Sequence, residues 1–220
     1  MIIKMVTKIP LNLRLKRKEE KDIAYAQDII VEQLYKFFPK AIIHGGTAIW
    51  RCYQGNRFSE DVDAYIPRDE KTIYEFINSL RTRGFNIVKT RIKENSVYTE
   101  LDFNRITTKF EATFQNKKPF LKGYETSDSL FINIYTLTAE ELIIEKVETY
   151  LSRKKIRDLY DLYFLLTHHI ENNEQIKKNI RKLITNYKKP LDEANLANII
   201  LSGIAPDSEY LFNEIKKWAK

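Results

Sequence analysis

Two short stretches carry residues whose types and spacing suit phosphate chemistry: His44-Gly45-Gly46-Thr47-Ala48 and Arg57-Phe58-Ser59-Glu60-Asp61-Val62-Asp63. Glycines let a backbone approach phosphates closely. A Gly-Gly turn between a strand and a helix also leaves free amides, which the helix dipole makes attractive to anions. Thr47, at the helix start, offers either a hydroxyl to a phosphate or an ordinary helix-start residue. Asp61 and Asp63 stand two apart on an apolar run that reads as a strand, so their side chains share a face, with Val62 and Ala64 opposite. Two such carboxylates repel unless protonated or bound to a cation. Magnesium (or manganese) fits them, because it takes hard oxygen ligands and keeps positions open for phosphate. Two ions about 3.5–4 Å apart can activate an attacking oxygen and stabilise a leaving pyrophosphate. The plain alternative is a solvated acidic strand face. Asp-x-Asp also occurs in sugar-nucleotide glycosyltransferases, so the pair alone does not name a reaction.

A third carboxylate on a neighbouring strand would complete such a site. In Ile106 to Phe114, Thr107, Lys109, Glu111 and Thr113 share one face, which makes Glu111 the first candidate. Glu100 and Asp102 form a rival pair on the run before it. A second constellation lies further on: Lys146, Arg153 and Arg157-Asp158-Leu159-Tyr160-Asp161-Leu162. Lys146 and Arg153 are two helical turns apart, roughly on one face. By itself this group reads as surface helices laced with salt bridges, each worth little.

The elements that must position these residues follow from the hydrophobic pattern. Glu19 to Phe38 has helical spacing and is stopped by Pro39. Ala41 to His44 and Asp61 to Ile66 read as strands. Thr47 to Tyr53 and Asp69 to Arg83 read as helices, the second closed by Gly84. Phe85 to Lys93, Val97 to Phe103, Ile106 to Phe114 and Ser129 to Tyr135 read as further strands, the first three antiparallel. Thr138 with Glu141 is a capping box, and the chain from there is helical. The expected organisation is α+β over residues 1–136, followed by a helical half over 137–220. Trp50, Cys52 and Tyr53 are read as core, His44 as a strand end, and His168 with His169 as a helix terminus.

The chain has 220 residues, enough to bury a sizeable core. No apolar run reaches the ~18 residues that cross a bilayer, and Met1 to Pro10, broken by lysines, does not read as a signal peptide. A lone cysteine excludes a disulfide framework and any multi-cysteine zinc site. These features give the expectation of a cytoplasmic protein with no membrane partner. The net charge is +7. Its basic residues cluster at 81–93, where Lys89, Arg91 and Lys93 alternate on one strand face, and at 175–190, which includes Lys177, Lys178, Arg181 and Lys182. Single-sign clusters favour a polyanionic partner such as RNA.

The two constellations, in this order, resemble the AbiEii-type nucleotidyltransferases, toxin components of toxin–antitoxin and phage-defence systems within the polymerase-β-like nucleotidyltransferase superfamily. The resemblance rests on Gly45-Gly46-Thr47-Ala48, on Ser59-Glu60-Asp61-Val62-Asp63, and on Lys146, Arg153 and Arg157-Asp158-Leu159-Tyr160-Asp161-Leu162. It runs from about residue 43 to 166. It implies a polymerase-β-like mixed sheet with flanking helices, followed by a C-terminal helical bundle. It implies transfer of a nucleoside monophosphate from a nucleoside triphosphate to an acceptor, RNA or tRNA first among the candidates, with a protein or a small alcohol as others. A cognate antitoxin would be a further partner. Asp61, Asp63 and Glu111 would be catalytic metal ligands. Lys146 would contact the nucleotide and Asp158 would sit in or beside the active site. Gly45, Gly46, Thr47, Ser59, Arg153 and Arg157 would join Lys146 in binding the nucleotide, and Asp161 would support the site. The tail after Thr167 matches no signature and is expected to carry acceptor specificity. The alternative reading is a non-catalytic RNA- or partner-binding protein that keeps the fold.

Overall fold

A seven-stranded mixed sheet forms the centre of the molecule, in the strand order β3-β4-β5-β2-β1-β7-β6. The computed structural model describes residues 9–170 and 173–220; the first eight residues of the segment read above against a signal peptide lie outside that range. The strands are β1 (Ile42–His44), β2 (Val62–Ile66), β3 (Asn86–Ile92), β4 (Ser96–Phe103), β5 (Ile106–Phe114), β6 (Phe120–Glu125) and β7 (Phe131–Thr136). The helices before β7 are α1 (Leu11–Arg14), α2 (Lys18–Phe37), α3 (Gly45–Cys52) and α4 (Glu70–Thr82). After it come α5 (Ala139–Arg153), α6 (Ile156–His168), α7 (Glu174–Thr185), a 3₁₀ turn at Glu193–Asn195, α8 (Leu196–Ile199) and α9 (Ser208–Trp218).

The register places the chemistry. His44 of β1 pairs with Asp63 of β2, and Asp63 pairs in parallel with Glu111 of β5. Tyr98 of β4 lies opposite Glu111, and Arg91 of β3 lies opposite Tyr98. Directly paired residues point to the same side of a sheet, so one row runs from the β3 edge to the centre. On the other side, Val62, Ala64, Ile66, Val97, Leu101, Phe110 and Ala112 are buried. Helices α2 and α4 cover that side, presenting Ile23, Ile30, Leu34, Ile73, Phe76 and Leu80 at helical spacing.

Three elements differ from the sequence expectation, the first being the short helix α1, which that expectation does not contain. Strand β6 was not expected, because Pro119 and Gly123 punctuate its run; it exists as an edge strand hydrogen-bonded to β7, where a proline at the start costs nothing. The Gly-Gly pair is not a turn before the helix but its first two residues. Gly45 has φ +67°, and a Cβ there would collide with the Asp63 carboxylate, so only glycine lets α3 begin directly at the end of β1.

The capping box forms as expected: the Thr138 hydroxyl accepts from the Glu141 N–H at 3.3 Å, and the Glu141 carboxylate accepts from the Thr138 N–H at 2.9 Å. The architecture changes from strands to helices between Thr136 and Ala139, yet one hydrophobic cluster joins residues of both halves. Helix α5 packs on α6 and α7, and α6 on α9. Among the described residues no helix is long and apolar enough to cross a membrane.

Candidate active site

The loop entering β2 is held at three successive carbonyls. Gln27 of α2 donates to Ser59 O at 2.8 Å, Thr108 to Glu60 O at 2.6 Å, and Thr47 to Asp61 O. Thr47 is fully buried. Its hydroxyl donates to the Asp61 carbonyl and so positions that backbone, a contact that neither expected role of Thr47 includes. Asp61 sits just ahead of β2 and Asp63 within it, both half-buried.

Asp61, Asp63 and Glu111 line a wholly polar cavity of about 110 Å³ together with Gly46, Ser59, Arg57, Lys146, Arg153 and Arg157. At Gly46 a Cβ would come within 2.5 Å of the Ser59 Oγ and 2.7 Å of an Arg57 nitrogen, so the missing side chain keeps the cavity open. Burial, together with the neighbouring Asp63 and Glu60, raises the Asp61 pKa above its ordinary value, against the pull of Lys109 and Arg157. Burial, followed by the charges of Asp63 and Asp61, likewise raises Glu111. The rivals lie elsewhere: Glu100 accepts from Tyr98 at 3.2 Å, Asp102 accepts from Thr107 at 2.7 Å, and neither lines the cavity.

Arg57, Lys146 and Arg153 are held from behind by two fully buried aspartates on α6. Asp161 takes a two-pronged contact from Arg57, at 2.5 and 2.7 Å, and an ion pair from Lys146 at 2.7 Å. Asp158 accepts from Arg153 at 2.7 and 2.8 Å and from Lys146 at 3.2 Å. Burial pushes the Asp158 pKa up, but the Arg153 hydrogen bonds and the Lys146 charge outweigh it, so the carboxyl is held below its ordinary value. Lys146, Arg153 and Arg157 thus reach the cavity as the helical motif suggests. Asp158 does not line it; it sits beneath, orienting Lys146 and Arg153. Gly45 does not line it either but makes room for Asp63.

Arg57 is the residue to which the sequence reading assigned no role. Its one signal was its place two residues before Ser59, and only the α6 partner at Asp161, far along the chain, reveals its function. His44 stacks on Tyr65, with ring centroids 3.9 Å apart, and its Nδ1 lies 3.4 Å from Glu145. Trp50, Cys52 and Tyr53 are core, and burial pushes the Cys52 thiol up to about 12. Of the basic clusters, Lys89, Arg91 and Lys93 are exposed at the sheet edge. Lys177 packs into the buried side of α7, and Lys182 pairs with Glu148 at 2.5 Å.

Whether these residues suit a divalent ion is a matter of donor chemistry. Among the described residues no three His, Cys, Asp or Glu side chains form a ready-made metal cluster, so the expected set of Asp61, Asp63 and Glu111 is not preassembled. Like charges hold such a trio apart. Magnesium needs only one or two protein carboxylates when phosphates supply the rest, and Asp61 with Asp63 meets that requirement.

A sheet carrying carboxylates at its centre, roofed by a helical layer that supplies cations, defines a nucleotidyltransferase fold. The family description matching residues 29–216 is "Nucleotidyl transferase AbiEii toxin, Type IV TA system". The chain belongs to this family of nucleotidyltransferase toxins. A search of curated proteins gives no match. Two solved structures share the fold. The Helicobacter pylori protein JHP933 is 19% identical, with 93% of this chain and 92% of that chain covered and a TM-score of 0.67. A candidate nucleotidyltransferase from H. pylori is 20% identical, with 93% and 94% covered and a TM-score of 0.63.

Proposed function

We propose that this chain transfers a nucleoside monophosphate from a nucleoside triphosphate to an acceptor hydroxyl on RNA such as tRNA, releasing pyrophosphate. The observation that carries the reading is one small polar cavity lined by three carboxylates and four cations. Asp61 and Asp63 would hold magnesium or manganese, which when bound draws charge from the phosphate under attack. Arg57, Lys146, Arg153 and Arg157 neutralise the triphosphate. The anchorage of Arg57, Lys146 and Arg153 on Asp158 and Asp161 means that little reorganisation is needed as charge builds on the leaving oxygen. Glu111, paired with Asp63 across the sheet, would meet the acceptor hydroxyl. The β3–β5 part of this face carries Lys89, Arg91 and Lys109, with Glu100 between Lys89 and Lys109. These cations support RNA as the acceptor, and the toxin family supports an antitoxin as a protein partner.

The test is pyrophosphate release with each triphosphate, magnesium and total RNA. The wild type releases pyrophosphate in step with labelling of RNA. Asp63→Asn, which keeps shape and removes charge, loses release by at least about a hundredfold, in the range of lost electrostatic stabilisers, while its circular dichroism stays native. Near wild-type release by Asp63→Asn contradicts the assignment.

A further inference from the structure

Beside the phosphate cavity lies a second one of about 340 Å³ that shares Arg57, Ser59 and Arg157 with it. Its remaining walls come from Phe58, Glu60, Lys155 and Ile156, and from the chain after residue 190: Asp192, Asn195, Asn198 and Ile199. We infer that this cavity receives the nucleoside of the triphosphate, and that Asn195 and Asn198 select the base. The inference rests on the reading of the smaller cavity as the phosphate site.

Three observations carry it. The first is continuity. The smaller cavity is wholly polar and has room for little beyond phosphates and an ion. The nucleoside is bonded to the α-phosphate, so it must lie within one ribose of the arginines that hold the phosphates. The second cavity begins at those arginines. The second observation is chemistry. Small-molecule sites are about 300–1,000 Å³, mainly apolar, with a few placed polar groups. Here Phe58, Ile156 and Ile199 supply the apolar part of a mixed wall, and two carboxamides, each both donor and acceptor, can read the edge of a base.

The third is that the wall is built, not draped. Arg57 and Ile200 form an isolated antiparallel bridge. Phe58 N–H donates to Ile199 O at 2.7 Å and Leu201 N–H to Asn56 O at 3.0 Å. The Asn56 carboxamide donates to the Ser202 backbone O at 2.7 Å and accepts from the Ser202 hydroxyl at 2.8 Å. Asp192 accepts the Ile156 N–H at 2.8 Å. The tail is therefore fastened to the very segment that leads into Asp61 and Asp63, and to the start of α6. The sequence alone suggests acceptor specificity there; a cavity that shares the phosphate arginines and is not lined by Glu111 favours the nucleoside.

Equilibrium binding with magnesium tests this, using tripolyphosphate and the four nucleoside triphosphates as probes. Asn195 and Asn198 are exposed, so Asn195→Ala/Asn198→Ala is expected to fold. Wild type is expected to bind one triphosphate more tightly than the others, and all of them more tightly than tripolyphosphate. The double variant is expected to lose about tenfold in affinity for the favoured triphosphate, the value of a pair of lost hydrogen bonds, and to bind tripolyphosphate as before. An unchanged order of preference in the variant overturns the inference, as does equal binding of tripolyphosphate and triphosphates by the wild type; both leave the phosphate site standing. Binding of no probe by the wild type overturns the inference and the underlying reading together.

Discussion

At the scale of single residues, the site separates groups that face the cavity from groups that hold them. Asp61, Asp63, Glu111, Lys146, Arg153 and Arg157 face it, whereas Thr47, Asp158 and Asp161 are fully buried and act through others. Removing one member of a buried ion pair strands its partner, so the aspartates beneath are as necessary as the cations above. The raised Asp61 gives a prediction with a definite sign. A carboxyl whose folded pKa lies above its unfolded one adds stability below the unfolded value, about 3.9 for aspartate, and that contribution is lost as pH rises through the folded value. At neutral pH ionised Asp61 therefore burdens the metal-free fold. Asp61→Asn is expected to raise the melting temperature at pH 7, and the gain is expected to shrink to nothing as pH falls below the ordinary aspartate value. Magnesium should narrow the gap at pH 7 by stabilising only the wild type. Melting curves across pH measure all three; a gap independent of pH contradicts the assignment of strain to this carboxylate.

At the scale of elements, the strand–helix junction at Gly45 sets the distance between the start of α3 and the Asp63 carboxylate. Gly45→Ala would force a side chain into the left-handed region, at roughly 1–2 kcal/mol, and against Asp63. Transfer activity is therefore expected to fall further than the melting temperature implies, whereas an active variant with only a small loss of stability would mean that Asp63 has room to spare. Much of this was legible beforehand. Asp-x-Asp on an apolar run fixes a shared face by strand geometry alone, and Thr138 with Glu141 marks a helix start by local hydrogen bonding. Glu111 ranked first because its strand neighbours alternate cleanly. What escaped was non-local. Strand β6 exists because β7 pairs with it, despite Pro119 and Gly123. Arg57 matters because α6 brings Asp161 to it, and Asp158 sits beneath the cavity because two cations close over it. Spacing along the chain carries none of these.

At the scale of the molecule, one core spans the sheet and the helical layer, so the two sides of the cavity are held in a fixed relation. The charge is unevenly placed. Lys89 and Arg91 stand on the same sheet face as Glu111, whereas Lys177 is buried and Lys182 is paired. RNA binding is accordingly expected to weaken with salt. Lys89→Gln/Arg91→Gln should reduce the steepness of log affinity against log salt by about one unit for each phosphate that is no longer neutralised. An identical slope in the variant would remove this face from the RNA path. The central claim, attack on the α-phosphate, is tested most directly by supplying the protein with magnesium, RNA and the same triphosphate labelled at either the α- or the γ-phosphorus. The account predicts that the α-label becomes covalently attached to the acceptor while the γ-label leaves as pyrophosphate in equal amount. Transfer of the γ-label to the acceptor, or release of both labels with no labelled acceptor, would contradict it.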